Sequence, residues 1–222
     1  MKLAEELTLQ VYEIYRAIQG ETSRAGLPCV IVRLAGCDLR CAWCDTLEAA
    51  NAGAGKEMTV ADIARAVEPL GTRLICLTGG EPLLQKNTPA LAAYFAGAGY
   101  TVQVETNGAK PIAPLRAPII RIMDIKCPAS GMSRQCDFNN LADLRPTDEV
   151  KFVIATRDDY EYARQVIENY NLRAGVLMSP LTGPQSEIAP ALLAEWMLYD
   201  DLDARLQLQL HKIIWDKGEP KK

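Results

Sequence analysis

The chain alternates short apolar, β-branched runs with segments whose apolar residues recur at helical spacing. Strands are predicted at "PCVIVRLAG" (28–36), "RLICLTGGEP" (73–82), "TVQVETNG" (101–108), "PIIRIMDIKCP" (118–128), "EVKFVIAT" (149–156) and "AGVLMSP" (174–180). Helices are predicted between and after them, at "MTVADIARAVEPL" (58–70), "NTPALAAYFAGAGY" (87–100), "RDDYEYARQVIENYN" (157–171) and "SEIAPALLAEWMLYD" (186–200). The second of these has Asn87 or Thr88 as its cap and Pro89 in its first turn. A last strand-like segment, "ARLQLQLHKIIW", covers 204–215. Strands alternating with helices imply a parallel sheet with right-handed crossovers. About six such units fit, too few for a closed eight-unit barrel. The expected fold is therefore α/β, a partial, open βα barrel in one domain over residues 1–222.

Polar and glycine-containing motifs gather at the C-terminal ends of these strands. They are "GC" at 36–37, "TGGEP" at 78–82, "ETNG" at 105–108, "DIKCP" at 124–128, "SP" at 179–180 and "HK" at 211–212. In parallel βα folds that edge is where ligands bind.

Composition narrows the function classes. The 222 residues are 49% hydrophobic and 23% charged, and 24 basic against 28 acidic side chains leave a net charge of -4. That balance gives no general pull toward nucleic acid or an anionic membrane. The apolar runs are too short to span a bilayer. The start "MKLAEELTLQ" carries acidic residues where a signal peptide needs an apolar stretch, so a cytoplasmic protein is expected. Seven cysteines, an odd count, argue against a disulfide scaffold at this length.

Three of those cysteines, Cys37, Cys41 and Cys44, fall in "GCDLRCAWCDT" with the spacing CxxxCxxC. Structural zinc sites normally use four protein ligands, and an iron–sulfur cube commonly takes four cysteines. Three cysteines leave one iron of a cube free for a small ligand. A zinc knuckle completed by Cys29, Cys76, Cys127 or Cys136 is the competing arrangement. Otherwise those four are expected to be buried small apolar residues.

The CxxxCxxC spacing with Trp43 before the last cysteine resembles the radical S-adenosylmethionine (SAM) superfamily. The resemblance implies a [4Fe-4S] cluster on Cys37, Cys41 and Cys44, with SAM on the open iron. It also implies that Gly79, Gly80 and Glu81 hold the methionine end of SAM, glycine letting the backbone approach closely. The series "AIQGE" (17–21), "GLPCVIVRLAGC", "CDT", "TGGEP", "ETNG", "DIKCP" and "QLHKIIW" (209–215) is similar, across nearly the whole chain, to the 7-carboxy-7-deazaguanine synthase family. That similarity implies rearrangement of 6-carboxy-5,6,7,8-tetrahydropterin to 7-carboxy-7-deazaguanine with loss of ammonia, on the route to queuosine. The resemblance further implies that a radical formed from SAM would take a hydrogen from C6 of the pterin, that Mg²⁺ on the carboxylate would assist ring contraction, and that SAM would be regenerated. A flavodoxin- or ferredoxin-type electron donor and a homodimer are implied as well.

The family pattern carries over residue by residue. Ile18, Gln19, Gly20, Glu21, Arg33, Thr78 and His211 are expected at the substrate, and Thr46 at Mg²⁺. Trp43, Gly79, Gly80, Glu81, Lys126, Cys127, Pro128, Ser130, Ser179 and Thr182 are expected around SAM. Each has a plainer alternative. Arg33 suits a carboxylate clamp or a surface ion pair. Gln19–Glu21 match an amino-pyrimidinone edge or form a solvated turn. Thr46 is equally a helix N-cap, since Mg²⁺ needs only occasional protein oxygens. Thr78 suits strand-end bonding, Trp43 the core, and His211, the single histidine, a structural contact at the end of a strand. Some relatives use their own terminal carboxylate. Here the chain runs on through "DKGEPKK", the tail 217–222 is expected to be disordered, and that role is not carried over. The competing functions are a glycyl-radical-enzyme activase and, from another class, a zinc-stabilised binding module.

Overall fold

Alternation of side chains along the central strands sets up this molecule. The computed structural model describes residues 2–183 and 186–215; the tail 217–222 lies outside them. In chain order the elements are α1 (Lys2–Glu6), β1 (Thr8–Ile18), β2 (Pro28–Leu34), β3 (Lys56–Thr59), α2 (Val60–Val67), β4 (Leu74–Gly79) and α3 (Thr88–Gly97). Then come β5 (Thr101–Thr106), β6 (Ile120–Ile125), α4 (Asn140–Asp143), β7 (Glu149–Ile154), α5 (Arg157–Asn169), β8 (Gly175–Pro180), α6 (Pro190–Tyr199), β9 (Arg205–Leu206) and α7 (His211–Ile214). The strands form one sheet, ordered β3-β1-β2-β4-β5-β6-β7-β8-β9, whose edges do not pair with each other. From β2 to β9 neighbouring strands run parallel. The six predicted strands are thus all present, in an open sheet.

Period-two alternation divides the two faces. Val30, Val32, Leu34, Ile75, Leu77, Val102 and Val104 pack in one apolar cluster with Ile63 of α2 and Leu91 and Phe95 of α3. Val150, Phe152, Ile154, Val176 and Met178 join Tyr160 and Ala163 of α5 and Leu193 of α6 in a second. The alternate residues, Ile31, Arg33, Cys76, Thr78, Glu105, Asp124, Lys151 and Val153, line a cavity instead. A one-residue slip in any strand would exchange core for cavity, so the apolar packing fixes which side chains the site receives.

Helix ends are tied down locally. Thr59 caps α2 in a reciprocal capping box with Asp62, and Thr156 caps α5 by accepting from the Asp159 N–H at 3.2 Å. The buried Asp159 carboxylate accepts from the N–H groups of Ala129 and Ala155, both at 2.9 Å. That bond anchors the 128–130 turn beside the site.

Three expectations change. β1 and β3 are additional strands: β1 is antiparallel to β2 and β3, with a bulge between Val11 and Glu13, and β3 takes Met58 and Thr59 from the expected 58–70 helix, which begins at Val60 after its Thr59 cap. The helix expected from Ser186 starts at Pro190, whose fixed φ suits a first helical position. The strand-like 204–215 segment gives only Arg205–Leu206 to the sheet, and His211 begins a one-turn helix rather than ending a strand.

Candidate active site

Loop geometry brings the sequence motifs to one edge. After β2 the chain enters the cysteine loop, whose base closes through Gly36 N–H to Ala49 O at 2.8 Å and Cys37 N–H to Ala50 O at 3.0 Å. The Gly-Gly pair after β4 is packed against that base. Gly79 has φ +148°, and a Cβ there would lie 2.1 Å from Leu34 O. A Cβ on Gly80 would lie 2.2 Å from Gly36 O and 2.7 Å from Cys37 Cβ. The backbone of 79–81 thus bonds the loop's start directly, with Glu81 N–H donating to Gly36 O at 2.7 Å. Farther round the loop, Asp38 accepts from Asn107 Nδ2 at 3.1 Å and pairs with Lys110 at 3.0 Å.

Cys37, Cys41, Trp43, Cys44 and Thr46 all line the cavity, which holds about 230 Å³. Trp43 is half-buried there rather than in the core. No helix starts at Thr46, so the N-cap alternative is not realised; its hydroxyl lies 3.9 Å from Cys44 Sγ. Burial pushes the Cys37 and Cys41 thiols above their usual range. Among the described residues no three His, Cys, Asp or Glu side chains converge as ligands of a single ion. Three thiols from one loop facing a shared cavity are a donor set that suits a polynuclear iron–sulfur group, one cysteine to each of three irons.

The opposite wall is the 19–22 loop, and it is not solvated. Gln19 is 4% exposed, Glu21 8% and Thr22 0%. Gln19 Nε2 donates to Gln103 Oε1 at 3.1 Å, and Gln103 Nε2 donates to Thr22 Oγ1 at 3.1 Å. Thr22 has φ +70°, an uncommon conformation for a β-branched residue, held by these bonds. Glu21 receives Lys151 Nζ at 2.5 Å on Oε2 and Gln209 Nε2 at 2.6 Å on Oε1. Burial alone would raise its pKa, but Lys151 and the Gln209 amide outweigh it and hold the carboxyl well below the usual range. The chain's far end closes this wall, Leu210 N–H donating to Gly20 O at 2.9 Å. Lys212 reaches Gln209 Oε1 at 2.7 Å and Asp45 at 3.7 Å.

Ile18, Gln19, Gly20, Glu21, Arg33, Thr78, His211, Gly79, Gly80 and Lys126 line the cavity together with the cysteine loop. Arg33 is both cavity-lining and ion-paired: its Nε meets Glu13 at 2.7 Å and its Nη2 donates to Tyr15 OH at 3.2 Å. Thr78 donates to Glu105 Oε2 at 3.3 Å.

Several expected SAM residues do not line the cavity. The Glu81 carboxylate is fully buried and accepts from Thr106 Oγ1, Asn107 N–H and Leu83 N–H, so an ammonium would compete with three donors already in place. Burial pushes its pKa up despite those bonds. Cys127 sits in the apolar core, Ser130 Oγ donates to Cys127 O at 2.6 Å, and Pro128 is exposed in the turn between them. Ser179 Oγ donates to Gln207 O at 2.7 Å, and Thr182 Oγ1 bonds Gln209 Oε1 at 3.2 Å. Cys29 and Cys76 are buried as expected, whereas Cys136 is only half-buried.

Sequence reasoning placed Glu105, Asp124 and Gln209 inside its motifs without giving them a role and missed Lys151; all four line the cavity. The signal was present for three of them: a charge alternating with apolar residues in a strand whose other face is core.

An open parallel sheet with three cysteines on the loop after its first parallel strand defines a radical SAM protein, and residues 31–122 match the Radical SAM superfamily. A 7-carboxy-7-deazaguanine synthase from Koribacter versatilis is 42% identical over 93% of this chain and 97% of its own. One from Methanospirillum hungatei is 40% identical over 95% and 87%. The crystal structure of QueE from Escherichia coli has the same fold, with a TM-score of 0.79, 19% identity, and coverage of 95% of this chain and 97% of that one. The chain belongs to the 7-carboxy-7-deazaguanine synthase family.

Proposed function

We propose that this protein converts 6-carboxy-5,6,7,8-tetrahydropterin to 7-carboxy-7-deazaguanine with loss of ammonia, as a carbon–nitrogen lyase in queuosine biosynthesis. The observation that carries the reading is one cavity bounded on one side by three cysteines and on the other by a carboxylate and amides. The first wall suits an iron–sulfur group; the second suits the donor- and acceptor-rich edge of a pterin. Family membership favours this over a glycyl-radical-enzyme activase or a zinc-stabilised module.

In this reading Cys37, Cys41 and Cys44 hold a [4Fe-4S] cluster, and SAM lies along Trp43, Gly79, Gly80 and Lys126. Glu81, Cys127, Pro128, Ser130, Ser179 and Thr182 shape that backbone without presenting side chains to the cavity. When bound, cluster and SAM supply the hydrogen-abstracting chemistry. The chain's own residues orient the pterin and keep water out. Arg33 clamps its carboxylate, Glu21 and Gln19 read the ring's polar edge, and Ile18, Gly20, Thr78 and His211 complete the pocket. Thr46 offers one oxygen to Mg²⁺. A flavodoxin- or ferredoxin-type donor, a homodimer and a cytoplasmic location belong to the same reading. Among the described residues no helix is long and apolar enough to cross a membrane.

The test is incubation of anaerobically reconstituted protein with SAM, a low-potential reductant, Mg²⁺ and the carboxypterin. Mass spectrometry should find 7-carboxy-7-deazaguanine. Its absence from a cluster-loaded preparation would overturn the reading.

A further inference from the structure

Beneath the two walls lies a buried chain of alternating charges. Lys151 Nζ contacts Glu21 Oε2 at 2.5 Å and Asp124 Oδ2 at 3.2 Å, and Lys126 Nζ meets the same Asp124 Oδ2 at 3.0 Å. Asp124 and Lys151 are register partners on β6 and β7, so the pairing is built into the sheet. Lys151 and Asp124 both line the cavity. Among the described residues Asp124 Oδ1 is the one buried side-chain oxygen or nitrogen without a hydrogen-bond partner. Glu21 and Lys151 are buried and Asp124 and Lys126 half-buried, an unfavourable setting for charge unless it is paired, and Lys151 is the member that touches both carboxylates.

We infer that Lys151 is a positioning residue for substrate recognition. It holds the Glu21 carboxylate as an ionised acceptor for the N–H edge of the pterin and braces it against Asp124 on the sheet floor. This rests on the pterin reading of the cavity. Lys151 joins the 19–22 loop to the sheet floor, so it sets the distance between the ring-reading carboxylate and the cofactor wall. Its direct partners are the two carboxylates, and its effect on substrate passes through Glu21.

The charged and titratable groups facing Glu21 are Lys151 from β7, Glu105 from β5, Asp124 from β6 and His211 from α7. Without Lys151, burial dominates Glu21 and its carboxyl takes up a proton more readily. The pterin KM of K151M is then expected to worsen as pH falls from about 8 to 6, while that of wild type stays flat over the same window.

The experiment compares wild type, E21Q, K151M and the double variant E21Q/K151Q, all anaerobically reconstituted. K151M should raise the pterin KM about tenfold or more, with the fall in affinity steepest at low pH. The Kd for SAM measured without pterin, and the iron content, should stay near wild type. The double variant removes both charges together, so it leaves no unpaired Lys151–Glu21 partner should K151M fail to fold. Its KM should match that of E21Q, because Lys151 acts through Glu21. An E21Q/K151Q variant clearly worse than E21Q, or a K151M variant with wild-type KM and no pH dependence, would overturn the inference and leave the pterin reading standing. Wild type unable to turn over the pterin would overturn both.

Discussion

Gly20 and His211 occupy the same space from opposite ends of the chain. A Cβ on Gly20 would lie 2.2 Å from His211 Nδ1, and Leu210 N–H donates to Gly20 O at 2.9 Å. The imidazole rests directly on the backbone of the 19–22 loop, so any side chain at 20 must displace it.

Gly20→Ala should therefore act as a His211 variant. We expect kcat/KM to fall about a hundredfold, the scale of a misplaced binding group. The double variant G20A/H211A should be no worse than H211A alone. Steady-state kinetics of the three variants check this; additive losses would show that Gly20 and His211 act separately.

Gly80→Ala tests the seam between the Gly-Gly turn and the cysteine loop. The added methyl meets Gly36 O and Cys37 Cβ, and overpacking of this kind costs about 1–3 kcal/mol. Its first consequence falls on the loop that carries Cys37. Iron and sulfide per chain after anaerobic reconstitution should drop well below wild type. The outward-facing Gly97, with nothing near its Cβ, should tolerate alanine with full loading.

Asp148 holds the lower part of the sheet together. Its fully buried carboxylate accepts from Arg121 Nε and Nη2, and from Arg145 Nε and Nη2. Burial raises its pKa, but the two guanidiniums outweigh that and hold it below the usual carboxylate range. A depressed folded pKa gives stability that is complete above the unfolded value of about 4 and is lost as pH falls through the folded one. Asp148→Ala leaves the Arg121 guanidinium buried without its partner and should cost about 3–5 kcal/mol near neutrality. In denaturant titrations of cluster-free protein, the gap between wild type and Asp148→Asn should shrink as pH drops from about 5 to 3. A gap independent of pH would assign the loss to packing.

The six parallel strands and the cysteine edge were legible because their signals are local. β-branched runs end at glycines, and the Gly79–Gly80 pair and the CxxxCxxC spacing are each readable within a few consecutive residues. β1 was not. "TLQVYEIYRAI" mixes charged and apolar residues, and its place depends on pairing with β2 and β3. The charged floor escaped notice for the same reason. Glu105 is the one charge of β5, whereas Asp124 shares β6 with Arg121 and Lys151 shares β7 with Glu149, and only the sheet shows which of them line the cavity. Glu81 errs the other way: its motif suggests a ligand, but the turn it belongs to uses the carboxylate internally, as acceptor for Thr106, Asn107 and Leu83.

The most direct test of the account is the ratio of deazaguanine formed to SAM consumed by reconstituted enzyme supplied with the carboxypterin. Many equivalents of 7-carboxy-7-deazaguanine per SAM lost are expected if SAM is regenerated in each cycle, as the proposed reading requires. One free 5′-deoxyadenosine for every turnover, or 5′-deoxyadenosine with no deazaguanine at all, would contradict it.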